Sequence, residues 1–246
     1  MLGIEGLSVS IAGKSILHDV NLQVSNGETV ALFGPNGSGK TSLLKTIMGV
    51  PAFVVGSGRI LFKERDITSL DIDKRAKLGI GMAFQRPPAV RGIKLKELLH
   101  ICIEKSGHAE KDKIDEYVNK LNLDDFQERD INLGYSGGEI KRSELVQLLA
   151  QGPDLCLFDE PDSGVDLVSI HLVGNVINEL LEKNKKKDIR TKAGLIISHA
   201  GHILDYVNAD RAYVMLDGTL YCSGNPRELL DDIREKGYEG CAICPK

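Results

Sequence analysis

The stretch Gly34-Pro-Asn-Gly-Ser-Gly-Lys40-Thr41 restricts the possible folds more than any other part of the chain. It fits G-x-x-x-x-G-K-[ST] and has the flanks that pattern requires: an apolar run, Thr29-Val-Ala-Leu-Phe33, before it and a helical pattern through Leu43, Leu44 and Ile47 after it. A strand buried on both faces that turns through glycine into a helix belongs to a parallel α/β sheet. Gly34, Gly37 and Gly39 let main-chain N–H groups turn inward around an anion, and the following helix N-terminus adds its dipole. Lys40 reaches the β and γ phosphates of a nucleotide and Thr41 ligates Mg²⁺, with Pro35, Asn36, Ser38 and Ser42 completing the candidate cradle.

The same sheet should continue further along the chain. Leu155-Cys-Leu-Phe158 and Leu195-Ile-Ile197 are runs of the same buried type, each entering a polar turn and then a helical pattern. Leu172, Val173, Val176, Ile177, Leu180 and Leu181 form a stripe at helical spacing that predicts a helix lying on the sheet. The first thirty residues alternate as half-exposed strands around Ala12-Gly13-Lys14 and predict an antiparallel sheet. Between Met82 and Leu155 only helices are expected: one with Leu95, Leu98, Leu99 and Cys102 inward, a charged one near 110–121, and one from Gly137 to Ala150. Asp217-Gly218 predicts a hairpin joining Arg211–Leu216 to Thr219–Cys222, and Pro226 opens a last helix. The expected organisation is one domain, 1–246, with an α/β core from 1–90 and 151–246 and an all-helical subdomain from 91–150.

Composition excludes several classes. Of 246 residues 42% are apolar, and with 26 glycines added and 6 tyrosines removed the share is about half, as in ordinary globular chains rather than disordered ones. No run approaches the roughly 18 to 20 apolar residues that span a bilayer, and Met1 to Ser10 lacks the basic start and apolar run of an export signal, so neither membrane insertion nor secretion is expected. A net charge of −4 gives no overall field for nucleic acid. Lys183 to Lys187 reads as a solvated loop rather than a nucleic-acid patch. The five cysteines are an odd number and suit reduced thiols, hence a cytoplasmic location.

Two further segments carry chemistry. Asp159 and Glu160 end a buried strand, where ligands of parallel sheets bind; one carboxylate can hold Mg²⁺ while the next polarises an attacking water. Ser136-Gly-Gly-Glu139 is a capping box, and by that alone a well-capped helix. Gly137 and Gly138, however, leave the first-turn N–H groups uncovered by side chains and open to a phosphate.

Taken in order, the phosphate loop, Gln85, Ser136-Gly-Gly-Glu139, Asp159-Glu160, Ser163-Gly-Val-Asp166 and Ile197-Ser-His199 resemble an ATP-binding-cassette ATPase domain over essentially the whole chain. The resemblance implies a P-loop NTPase fold of that type, with ATP and Mg²⁺ as ligands. It implies that Gln85 senses Mg²⁺ and the attacking water, and that His199 contacts the γ-phosphate and orients Glu160. It further implies that Asp166 lies at a dimer seam and that Ser136 with Gly137 and Gly138 faces the ATP held by another copy. Each copy then has two half-sites and no complete one, and pairs on ATP. The family's usual aromatic against adenine is replaced here by Ile11, which implies weaker stacking on the base.

Within the family two machines are open. Gly81-Met-Ala-Phe-Gln85 with Pro87 and Gly92, Asp162-Ser-Gly-Val-Asp166, Ile203-Leu-Asp-Tyr206 and Glu235-Lys-Gly-Tyr238 resemble the SufC-type ATPases of iron–sulfur cluster assembly, which implies a SufB-like scaffold as partner. The alternative is the nucleotide-binding subunit of a membrane transporter. A DNA-repair cassette would need a long coiled coil within 41–135, where no heptad run of that length occurs. Pro161, Arg91 and Cys241-Ala-Ile-Cys244 depart from the family pattern, and two cysteines supply only half of a closed metal site. The partner surface is expected on the helical subdomain near Gln85, with Ile101 and Ile103 as spare apolar surface.

Overall fold

A computed structural model describes residues 1–106, 111–198 and 201–242. In chain order, β1 (Leu2–Ile11), β2 (Lys14–Val24) and β3 (Thr29–Phe33) lead through the glycine loop into α1 (Lys40–Met48). Then come β4 (Val54–Phe62), β5 (Arg65–Asp66), α2 (Ile72–Lys77) and β6 (Ile80–Ala83). They are followed by β7 (Val90–Lys94), α3 (Leu95–Ser106), α4 (Lys111–Lys120), β8 (Asp130–Ile131) and α5 (Gly137–Gln151). The chain continues with β9 (Leu155–Asp159), α6 (Leu167–Leu180), β10 (Ala193–Ile197), β11 (Arg211–Leu216), β12 (Thr219–Gly224) and α7 (Pro226–Ala242).

A six-stranded sheet in the order β12-β11-β3-β10-β9-β6 is parallel except for β12, the return strand of the hairpin. Asp217 and Gly218 both take positive φ, 45° and 76°, as that tight turn demands. The three apolar runs are central because both of their faces are covered. Val30, Leu32, Leu155, Leu157, Leu195 and Ile197 face one hydrophobic cluster, shared with β1, β2 and α1. Their alternates Ala31, Phe33, Cys156, Phe158 and Ile196 face the other, beneath α5, α6 and α7. Phe158 is fully buried, which at ordinary transfer values is worth roughly 2–3 kcal/mol.

Three expectations are corrected. The segment between β6 and β9 is not helical throughout: β7 and β8 pair antiparallel, Val90 opposite Ile131 and Lys94 opposite Asp130. Five residues interrupted by Gly92 at φ 79° carry no period that sequence reading can detect. The N-terminal sheet is antiparallel as expected, and β4 and β5 extend it to four strands in the order β2-β1-β4-β5, so β1 is interior. Gly56 and Gly58 obscure the pattern of β4, yet a side chain at Gly58 would strike the Glu5 and Gly6 carbonyls. The basic run is not wholly solvated either, since Lys183 is half-buried in a 3.1 Å ion pair with Asp210 and Lys187 pairs with the same carboxylate at 2.9 Å. Of the two isoleucines expected to be spare, Ile101 is exposed while Ile103 packs on the core. Among the described residues no helix is long and apolar enough to cross a membrane.

Candidate functional site

Strand register assembles the site. β10 lies between β3 and β9, and β6 flanks β9, so the loops leaving the carboxyl ends of neighbouring strands converge. Ala83 is opposite Phe158 in the β6–β9 ladder, and therefore Gln85 and Glu160, each two residues further on, emerge side by side. Gln85 Nε2 donates to Glu160 Oε2 at 2.5 Å. Glu160 itself is held at φ 51°, in the left-handed region, with its N–H donating to the Ile197 carbonyl at 3.2 Å. A glutamate in that conformation is strained unless its surroundings enforce it, and strain of this kind gathers at functional sites.

The glycine loop is built for close approach. Gly34 has φ 153°, and a Cβ there would collide with the Met215 carbonyl at the end of β11. Gly39, at φ 104°, caps α1 without any side-chain hydrogen bond, so the first-turn N–H groups of that helix have no capping oxygen. Lys40 is 5% exposed, and its ammonium donates to the Gly34 and Pro35 carbonyls at 2.7 and 2.9 Å. Burial holds its pKa below the ordinary lysine value, against the pull of the Glu160 and Asp159 carboxylates. Thr41 Oγ1 donates to Asp159 Oδ1 at 2.8 Å, joining the loop to the end of β9. Burial raises the Asp159 carboxyl, and its Oδ2, like Ser38 Oγ, is enclosed without a hydrogen-bond partner.

These details fit a Mg·triphosphate. A buried cation satisfied only by its own loop, an uncapped helix start and two orphaned oxygens, Ser38 Oγ and Asp159 Oδ2, are groups that an anion and its metal would satisfy. Pro35, Asn36, Gly37 and Ser42 lie within or directly beside this loop.

Ser136 caps α5 with the full reciprocal box: its N–H donates to Glu139 Oε2 at 2.6 Å and its Oγ accepts from the Glu139 N–H at 3.4 Å. A Cβ on Gly137 would lie 3.0 Å from the Gly164 carbonyl, and one on Gly138 3.9 Å from Asp166 Oδ2. Asp166 accepts from the Ser169 N–H and hydroxyl at 2.9 and 2.7 Å, starting α6. The Ser136–Glu139 turn and the Ser163–Asp166 turn are thus neighbours within one copy. Ile11 ends β1 half-exposed beside the hairpin turn. His199, Cys244 and the side chain of Cys241 lie outside the described residues.

Sequence reading missed Lys141 and Glu144 on α5. Lys141 Nζ donates to the Phe84 and Gln85 carbonyls at 2.5 and 3.1 Å, and Glu144 Oε1 accepts from the Phe84 N–H at 2.8 Å. Burial lowers Lys141 and pushes Glu144 up to about 7, with Lys141 and the Phe84 N–H pulling the carboxyl back. The available signal was a lysine and a glutamate one turn apart where a helix lying on a sheet should show only apolar residues.

Residues 17–163 match the model of the ABC transporter family. The chain is 38% identical over 252 residues to a probable ABC transporter ATP-binding protein of Streptococcus pyogenes serotype M3, covering 98% of this chain and 95% of that protein. A crystal structure of a nucleotide-free ATP-binding cassette from an ABC transporter superposes with TM-score 0.77 at 24% identity, covering 100% of this chain and 99% of that one. A dimeric bacterial ABC transporter cassette superposes with TM-score 0.75 at 22% identity, over 92% and 98% of the two chains.

Proposed function

Because this chain belongs to the ATP-binding-cassette family of ATPases, we propose that it is the hydrolytic subunit of a larger machine, in which two copies close on ATP and pass the motion to a partner gripped near Gln85. The observation that carries the reading is the single constellation linking Thr41 to Asp159 and Gln85 to Glu160, at 2.8 and 2.5 Å. A structural glycine turn or a plain helix start would need neither bond.

In this reading Lys40, the loop N–H groups and the start of α1 hold the phosphates. Thr41, Asp159 and Gln85 hold Mg²⁺, which when bound supplies neutralisation of the charge on the transferred phosphoryl group. Glu160 orients the water whose oxygen bonds to the γ-phosphorus as the bond to the leaving ADP oxygen breaks; His199 contacts the γ-phosphate. Ser136, Gly137 and Gly138 of one copy complete the site of the other, with Asp166 at the seam. Catalysis is positioning plus electrostatic stabilisation.

The partner in the leading reading is a membrane transporter subunit, supported by the Streptococcus relative, which is named as an ABC transporter ATP-binding protein. A second reading, a SufB-like scaffold of iron–sulfur cluster assembly, is favoured by the strings Asp162-Ser-Gly-Val-Asp166 and Ile203-Leu-Asp-Tyr206. One bait separates them. Glu160→Gln should bind Mg·ATP, hydrolyse at least about a hundredfold more slowly and hold the closed pair. Tagged in its natural host, it should bring down a membrane permease in detergent. Recovery of a soluble scaffold without membrane protein would favour the second reading, and turnover near the starting rate would remove Glu160 from the water.

A further inference from the structure

Past Ala83, the last residue of β6 in register with β9, Phe84 and Gln85 continue without a ladder partner. Their main chain is held instead by α5. Lys141 and Glu144, with side chains only 5% and 7% exposed, stand one turn apart with Nζ and Oε2 separated by 3.7 Å. Between them they take up three polar groups of the Phe84–Gln85 segment: both carbonyls go to Lys141 and the Phe84 N–H goes to Glu144. Burying an ammonium and a carboxylate costs several kcal/mol per ion, and packing alone would favour methionine and leucine at these places. The charges therefore call for an explanation other than cohesion of the helix with the sheet.

We propose that Lys141 and Glu144 are positioning residues for hydrolysis, a clamp that fixes the Phe84–Gln85 main chain so that the Gln85 amide reaches Glu160. The inference rests on the reading of Gln85 and Glu160 given above. The clamp sits on the same helix that carries Ser136 at its start. A tilt of α5, when Ser136 engages another copy's nucleotide, is therefore transmitted to Gln85 of its own site through three hydrogen bonds. One rigid element then serves both half-sites of a subunit.

The test is a double-mutant cycle read on kcat and KM, with nucleotide affinity followed separately by a fluorescent ATP analogue. Lys141→Met keeps the length and apolar stem and removes the donors. It should lower kcat about tenfold or more while KM and nucleotide affinity move by no more than about twofold. Placed on Gln85→Ala it should cause no further loss, because both act through one amide. Full activity in Lys141→Met, or losses that multiply with those of Gln85→Ala, would overturn the clamp. If Lys141→Met lacks a cooperative melt, Glu144→Met, which keeps the length of the side chain and removes the acceptor for the Phe84 N–H, carries the same cycle with the same criteria. A Gln85→Ala enzyme of unchanged kcat would instead sink the underlying reading of the site, a result distinguishable from failure of the clamp.

Discussion

Glu144 links stability to pH close to neutrality. Its carboxyl sits near 7 in the fold against an ordinary 4.5, burial being the main cause. The folded state therefore binds more protons than the unfolded one between those values. The stabilisation is fully present below the unfolded value and is lost as pH rises through the folded one. Between about pH 5 and about pH 8 the natural chain should lose on the order of 2 kcal/mol more than Glu144→Gln, measured as the difference in urea unfolding free energy at the two pH values. Equal slopes in the two proteins would mean that Glu144 titrates normally. At this scale the sequence was legible where a residue type has few uses. A lysine followed by threonine after three glycines, or two acids ending an apolar strand, announces itself. Lys141 and Glu144 did not, because their partners are main-chain atoms of residues far away in the sequence, and nothing in a pattern reveals which carbonyl an ammonium will meet.

Among the elements, α5 is the one asked to do two things. Its N-cap serine is satisfied by a capping box, yet the two glycines after it weaken the first turn and leave backbone N–H groups open. A pure cap and a phosphate contact predict different outcomes on substitution. Ser136→Ala and Ser136→Arg both remove the cap oxygen and should both destabilise by about 1 kcal/mol, a fall of roughly 2–4 °C in Tm for a chain of this size. Only Ser136→Arg also fills the space in front of the helix. It should bind ATP as well as the natural chain but fail to pair in sedimentation with Mg·ATP, and its hydrolysis should fall well below that of Ser136→Ala. Activity near that of the natural chain in both variants would leave Ser136 a cap and nothing more. Elements were legible in proportion to how strongly burial marks them. β3, β9 and β10 are apolar at every turn of the pleat because the six-stranded sheet is covered on both faces. β4 was hidden by Gly56 and Gly58, the latter required for close passage over Gly6, and β7 and β8 are too short to show alternation.

At the scale of the whole molecule, the question is where one catalytic centre begins and ends. The loops leaving β3, β9 and β6 place Lys40, Thr41, Asp159, Glu160 and Gln85 together, whereas Gly137 and Gly138, directly after Ser136, lie against Gly164, Asp166 and Ser169. If the second group belongs to another copy's centre, activity must depend on encounters between copies. Specific ATPase activity, the rate per copy, should then fall in proportion to concentration well below the pairing constant and level off above it. A partner that holds two subunits together should raise the low-concentration rate by increasing their effective concentration. Mixing provides the sharper experiment. Ser136→Arg lacks a usable Ser136–Gly138 turn and Glu160→Gln lacks a usable water-orienting carboxylate, so each should be nearly inactive alone. In the mixed pair, the centre that combines the Glu160 of the Ser136→Arg copy with the Ser136 of the Glu160→Gln copy is intact. Activity should therefore reappear on mixing, up to about one working centre in two per mixed pair, and should peak near equal amounts. A mixture no more active than its two components, under conditions where a tag on the Ser136→Arg copy pulls down the Glu160→Gln copy with Mg·ATP, would mean that each copy completes its own centre.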